Sequence, residues 1–161
     1  MNERQYQLVR VIRKISLFGD LSLEEIQLLM RVGRIAQFEA DEQIYLVGDP
    51  SDEMLVLLKG RLAVLAESGE ELARIGPGTP TGEMGLFTGQ PRSATILSLQ
   101  RSTAMVLGRK EIGLLLANNK EMQVKVLQNL VKVLSQRLTE ANGLSDAQAR
   151  IIRDLKRADE S

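Results

Sequence analysis

A carboxylate and a guanidinium lie close together near the middle of this sequence. Glu83 stands in the segment Gly82-Glu83-Met84-Gly85-Leu86-Phe87, and Arg92 follows nine positions later in Pro91-Arg92-Ser93-Ala94-Thr95. A carboxylate can accept hydrogen bonds from sugar hydroxyls, and a planar guanidinium can pair with a phosphate. Small neighbours let backbone N–H groups approach a ligand closely. The segment therefore has the groups needed to hold one ribose phosphate, although a structural ion pair between Glu83 and Arg92 is an alternative interpretation.

The composition argues against most other chemistry. The chain of 161 residues contains no cysteine and no histidine, which are common metal ligands, nucleophiles and general bases. No second carboxylate is placed against Glu83, and no EF-hand spacing is present, so we expect neither an enzyme nor a metal site. Acidic and basic residues number 21 each, so the chain lacks the basic excess typical of a DNA-binding protein.

The length predicts one domain with an appended helix or two. The sequence shows no apolar run long enough to span a membrane, and it opens on polar residues instead of the apolar core of a signal peptide. We therefore expect a cytoplasmic protein.

Residues 1–33 are predicted to form helices. Leu8, Val11, Ile12 and Ile15 recur at the spacing of one helical face. Ser22 and Glu25 have the spacing of a capping box, which predicts the start of a second helix.

Residues 34–108 have a different pattern, in which short apolar segments alternate with turn residues. Strands spaced this regularly are typical of an antiparallel sandwich or barrel, not of βαβ units. The segments are Ile35–Phe38, Ile44–Val47, Met54–Leu58, Leu62–Leu65, Leu72–Ile75, Thr95–Leu99 and Ala104–Leu107.

Residues 109–161 again have helical periodicity. A long helix is predicted from Glu121 to about Ala141, with a stop or kink at Asn142-Gly143 and a last helix capped by Ser145. The long helix carries an apolar stripe that either packs on the domain or forms a dimer seam. Four of its residues have coiled-coil spacing, namely Val131, Leu134, Leu138 and Ala141.

The complete pattern resembles the cyclic nucleotide-binding domain, the family that includes the catabolite activator protein, protein kinase A regulatory subunits and gated channels. The resemblance covers roughly residues 15 to 140. Besides the two central segments, it rests on Phe18-x-x-Leu21-x-x-Glu24-Glu25, Val47-Gly48-Asp49, Lys59-Gly60-Arg61-Leu62 and Ser135-Gln136-Arg137-Leu138.

This resemblance implies an α+β fold, in which an antiparallel β-roll of the double-stranded β-helix or jelly-roll type is flanked by N-terminal helices and a long C-terminal helix. A phosphate-binding cassette over residues 82–95 is then expected to hold a cyclic nucleotide, cAMP in preference to cGMP. Glu83 would accept from the ribose 2′-OH, and Arg92 would pair with the phosphate. The other implied contacts are the N–H groups near Gly82, Met84, Ser93 and Ala94, with Gly82 and Gly85 permitting close backbone approach, and an apolar wall of Leu72 and Ile75 with Ala73 between them.

The sequence departs from the family in two places. Pro80-Thr81 stands where relatives have bulky apolar residues, often aromatic. Fewer than 25 residues follow Leu138, too few for a winged helix-turn-helix, so the resemblance is not extended to DNA binding. The prediction is a sensor that passes ligand occupancy to its C-terminal helices and to a protein partner or a second copy. The alternative is a ligand-free domain of the same fold that serves for dimerisation or interaction.

Overall fold

Two N-terminal helices precede the strands in the computed structural model, which describes residues 1–159. They are α1 (Glu3–Arg13) and α2 (Leu23–Val32). The predicted capping box is confirmed: the Glu25 N–H donates to Ser22 Oγ at 3.2 Å, and the Ser22 N–H donates to Glu25 Oε2 at 2.7 Å. These bonds satisfy N–H groups that have no intrahelical acceptor, so they fix the first turn of α2.

Within residues 1–159, eight strands form two four-stranded antiparallel sheets. One has the order β1-β8-β3-β6 and the other β2-β7-β4-β5. The strands are β1 (Arg34–Phe38), β2 (Gln43–Tyr45), β3 (Glu53–Lys59), β4 (Leu62–Leu65), β5 (Glu71–Ile75), β6 (Pro80–Thr81), β7 (Thr95–Ser98) and β8 (Ser102–Gly108). The predicted fold class, an antiparallel β-roll flanked by helices, is confirmed.

Strand β3 belongs to both parts of the core. Because successive side chains of a strand point to opposite faces, Leu55 and Leu57 pack between the two sheets, whereas Met54 and Val56 pack under the helices. All four side chains are completely buried. The central strand therefore joins the interior of the roll to the helical layer.

The remaining helices are α3 (Glu83–Thr88), α4 (Arg109–Asn118) and α5 (Lys120–Asp159). Helix α5 is continuous over 40 residues, so the predicted stop at Asn142-Gly143 and the separate helix capped by Ser145 are wrong. One glycine inside a helix costs only about 1 kcal/mol relative to alanine, which the helix-forming residues on both sides can offset. None of the helices within residues 1–159 is long and apolar enough to cross a bilayer.

The first half of α5 is anchored to the N-terminal helices. Met122, Val126 and Leu130 are buried in the helical core. The buried Asn129 Nδ2 donates to the Leu17 carbonyl at 3.3 Å. From Leu134 onward, every described residue of α5 is exposed, so the second half of the helix extends away from the domain.

An ion pair fixes α5 to α2. Lys125 Nζ lies 2.9 Å from Glu25 Oε2 and 3.1 Å from Oε1. Burial raises the pKa of the Glu25 carboxyl, but the hydrogen bond from the Ser22 N–H and the Lys125 ammonium together outweigh it and hold that pKa below its ordinary value. The carboxylate therefore stays ionised in the folded protein at neutral pH.

Candidate functional site

A cavity of about 330 Å³ opens beside α3 and the loop that leads into β7. Seven of the ten residues predicted to bind a ligand line it: Gly82, Glu83, Met84, Gly85, Arg92, Ser93 and Ala94. Pro80 and Thr81, the departure noted in the sequence, also line the cavity. They form β6, which pairs with Leu55 and Val56 of β3. The backbone in front of the cassette is thus held in a sheet without bulky apolar side chains.

The other three predicted residues lie elsewhere. Leu72 is 59% exposed, Ala73 is exposed and Ile75 is buried in the core between the sheets. The structure therefore does not bring these three residues to the cavity lining, and their role as an apolar wall stays a prediction. The cavity runs across β2, β7 and β4, where Tyr45, Ile96 and Val64 line it. Strand β5 is the edge strand beyond β4.

Arg92 is the most constrained side chain of the site. Only 7% of it is exposed, and its Nη2 donates to the Glu53 carbonyl at 2.7 Å. The guanidinium carbon lies 3.7 Å from the centre of the Tyr45 ring, within cation–π distance. Its Nε and Nη1 are buried and have no hydrogen-bond partner among residues 1–159. Unpaired buried donors are costly, so a charged side chain left with two of them at a cavity wall indicates an anion site.

Glu53 and Tyr45 hold Arg92 in place. The Tyr45 hydroxyl donates to Glu53 Oε1 at 3.0 Å, and Arg34 Nη2 lies 2.9 Å from Glu53 Oε2. Burial and the neighbouring Glu53 charge raise the pKa of Tyr45, so its hydroxyl stays protonated and keeps donating. Sequence reasoning missed Tyr45; its one available signal was an aromatic ring in a strand of a chain that has only five aromatic residues.

The two glycines that flank Glu83 make room for protein side chains. Gly82 has a φ of +85°, and a Cβ there would collide with Arg92 Nη1. A Cβ on Gly85 would collide with the Ser51 hydroxyl. Glycine is therefore required at Gly82 by both backbone conformation and space, and its absent side chain lets the guanidinium sit against the start of α3.

Glu83 is nearly buried, at 4% exposure, and faces α5 as well as the cavity. Its Oε1 forms an ion pair with Nη2 of Arg137, a residue of α5 that is half exposed. Arg137 also lines the cavity, and sequence reasoning did not name it as a site residue. The helical spacing could have indicated Arg137, because this residue follows Leu130 and Val133 by seven and four positions and so lies on the face of α5 that meets the domain.

The arrangement suits binding. It offers a fixed cation with two free donors, a carboxylate and an apolar wall, all within one cavity. These features on a β-roll have the chemistry to hold a small anionic ligand that bears hydroxyl groups.

Comparison with known proteins gives the family. Residues 35–119, more than half of the chain, match the cyclic nucleotide-binding domain family, and the chain belongs to that family. A cyclic nucleotide-binding domain from Methylobacillus flagellatus is 32% identical and superposes with a TM-score of 0.74, covering 86% of this chain and 80% of that one. The regulatory domain of Toxoplasma gondii protein kinase A, solved with cAMP, is 27% identical with a TM-score of 0.65, over 71% of this chain and 46% of that one.

Relatives also include long proteins with other domains. Glutaminase 2 of Bradyrhizobium diazoefficiens is 26% identical over 131 residues, which is 81% of this chain and 21% of the glutaminase. The chain thus spans about a fifth of the length of this relative. The matching family and the Methylobacillus structure are cyclic nucleotide-binding domains, and this chain has their fold.

Proposed function

We propose that this protein is a cAMP sensor whose ligand occupies the cavity beside α3. The observation that carries the proposal is the buried Arg92 guanidinium, which has two donors without partners at the wall of that cavity. The cyclic phosphate accepts from these donors, and a hydrogen bond to a charged group contributes about 1.5–3 kcal/mol. The ribose 2′-OH donates to Glu83, and the first-turn N–H groups of α3 together with those near Ser93 and Ala94 complete the contacts.

The base rests on the apolar wall of Val64, Ile96 and Tyr45. We favour cAMP over cGMP, and we assign the Ser93 hydroxyl to the phosphate and not to a guanine amino group. The solved Toxoplasma relative holds cAMP, which supports this choice by analogy.

Calorimetric titration with cAMP, cGMP and 5′-AMP tests the proposal directly. We expect saturable binding in the order cAMP, cGMP, 5′-AMP, with a matching order of thermal shifts, because a ligand that binds only the folded state raises its melting temperature. No heat and no thermal shift at millimolar cyclic nucleotide would contradict the proposal. A tighter complex with cGMP would contradict only the choice of base.

The output is proposed to pass through α5. Arg137 connects the acid that receives the ribose to the helix that leaves the domain. If α5 can adopt two positions, a ligand shifts the equilibrium between them only by the difference in its affinity for the two. The proposed event is therefore a change in how Arg137 and Glu83 are paired when the ribose arrives, read by a protein partner or by a second copy. The proposed setting is the cytoplasm, and the proposed role is binding without catalysis.

Dimerisation through α5 is part of the same proposal. Val131 and Leu138 are 65% and 63% exposed, and they share one coiled-coil stripe with Leu134. We expect sedimentation equilibrium to show a dimer that Leu138→Asp converts to a monomer, with Lys132→Asp as the control on the same turns. A monomeric wild-type protein would contradict this part alone.

A second candidate function is a ligand-free interaction module of the same fold. The ion pair favours it, because Glu83 already has a partner in Arg137. It predicts that Glu83→Ala and Arg92→Ala leave partner binding and dimerisation unchanged at every nucleotide concentration.

A further inference from the structure

A second cavity, which we name the α1 slot, lies between helix α1 and the outer face of the β1-β8-β3 sheet. Its volume is about 420 Å³. It shares no lining residue with the cavity beside α3. Its residues are Arg4, Gln5, Gln7, Leu8, Val11, Ile35, Leu58, Lys59 and Thr103. We propose that the α1 slot binds a single-chain aliphatic carboxylate, with the alkyl chain in the slot and the carboxylate at its rim.

The interior of the slot is apolar and partly open to solvent. Leu8 and Val11 of α1 face Ile35 and Leu58 of the sheet, and Ile35 remains 44% exposed. An exposed isoleucine beside three half-buried aliphatic side chains is apolar surface that a ligand can remove from water. Each methylene buried there strengthens binding about fourfold.

The rim selects an anion. The charged residues of the lining are Arg4 and Lys59, both cationic and both exposed. Within residues 1–159, neither side chain makes an ion pair. A carboxylate can accept hydrogen bonds from both groups, whereas an ammonium head would be repelled.

Size and charge argue against a protein occupant. The volume lies within the range of roughly 300–1,000 Å³ that is typical of small-molecule sites. A bound amphipathic helix needs a longer groove, with anchors at positions i, i+3 or i+4, and i+7. The exposed end of α5 from a second copy is also a poor match, because residues 150–157 carry four basic side chains and one acidic one.

The test is calorimetric titration of the full chain with octanoate, decanoate and decylammonium below their micelle-forming concentrations. We expect decanoate to bind saturably at one site, octanoate to bind roughly fifteenfold more weakly because it has two methylenes fewer, and decylammonium not to bind. Methyl NMR would place the ligand, with decanoate shifting the signals of Leu8 and Ile35 and leaving those of Val64 and Ile96 unchanged.

Charge reversals at the rim provide the matched variants. Arg4→Glu and Lys59→Glu alter exposed side chains, so the fold should persist by circular dichroism while decanoate affinity falls at least tenfold. Arg10→Glu, on the same helix but outside the slot, should bind as the wild type does. The proposal is overturned if decylammonium binds as tightly as decanoate, if no saturable binding occurs, or if Arg10→Glu loses as much affinity as the rim variants. The proposal would also be overturned if the protein forms a dimer that Ile35→Lys dissociates and decanoate does not, because a second copy would then cover the slot.

Discussion

Replacing Arg92 gives the sharpest test of the proposed ligand site. Arg92→Ala removes the two donors, Nε and Nη1, that have no partner in the part of the chain that the structure describes. If each bonds one phosphate oxygen at about 1.5–3 kcal/mol, the loss is about 3–6 kcal/mol. At 1.4 kcal/mol for each factor of ten, cAMP affinity should fall by a factor of about 10² to 10⁴.

Arg92→Lys should give an intermediate result. Lysine keeps the charge but presents it as a point, so it cannot form the bidentate contact of a planar guanidinium. It also cannot reproduce both the bond to the Glu53 carbonyl at 2.7 Å and the contact with the Tyr45 ring. We expect affinity about ten- to a hundredfold below that of the wild type, set by the loss of one charged hydrogen bond.

The assay is calorimetric titration with cAMP, accompanied by thermal melts of each variant. Arg101→Ala is the matched control, because Arg101 is 72% exposed and its contact with Glu39 is long, at 3.7 Å. Its affinity should equal that of the wild type. The Arg92 variants should stay folded at 25 °C, since the bond to Glu53 is a small part of a stability of about 5–15 kcal/mol. A folded Arg92→Ala protein that binds cAMP as tightly as the wild type would refute the assignment of the phosphate.

Three further predictions concern the glycine, the ion pair and the anchor of α5. Gly82→Ala should lower stability by more than Gly78→Ala. Both positions have a φ near +85°, where alanine costs about 1–2 kcal/mol in backbone strain, but only Gly82 also lacks space for a Cβ. Urea denaturation of the two variants measures the difference, and equal losses would contradict the prediction. Arg137→Gln should lower stability by about 1 kcal/mol, because it leaves a nearly buried carboxylate without its partner. In a double-mutant cycle, the loss caused by Arg137→Gln should be smaller when Glu83→Gln is also present. Additive losses would mean that the two side chains are not coupled. The pKa of Glu25 in the folded protein lies below its ordinary value of 4.5, so the stability that this carboxylate contributes is present above pH 4.5 and is lost as the pH falls through the folded pKa. Between pH 7 and pH 3, the melting temperature should therefore fall less steeply for Glu25→Gln than for the wild type. Parallel curves would contradict this prediction.

Much of the architecture could be predicted from local sequence pattern. The capping box at Ser22, the strand segments and the cassette depend on neighbours along the chain, and these interactions leave clear signatures. The same reasoning placed Glu83 and Arg92 at one cavity, because both lie in one short segment of the chain.

The errors come from distance and from competing energies. Whether Leu72 or Val64 reaches the cavity depends on the strand order β2-β7-β4-β5, which no single strand encodes. Arg137 lies 54 positions beyond Glu83, and only the packing of α5 brings them together. At Gly143, a weak local preference for a stop was outweighed by helix-forming neighbours.

The shape of α5 has a mechanical consequence. At 1.5 Å per residue, residues 138–159 extend the helix about 33 Å beyond Arg137. If the exposed part of the helix bends near Arg137 by about 10°, residue 159 moves about 6 Å over that length. A small bend beside Glu83 thus becomes a displacement as large as a helical turn at residue 159. Under the proposed function, the exposed half of α5 would act as a lever arm, and a partner bound near residue 159 would sense a larger movement than the one at the cavity.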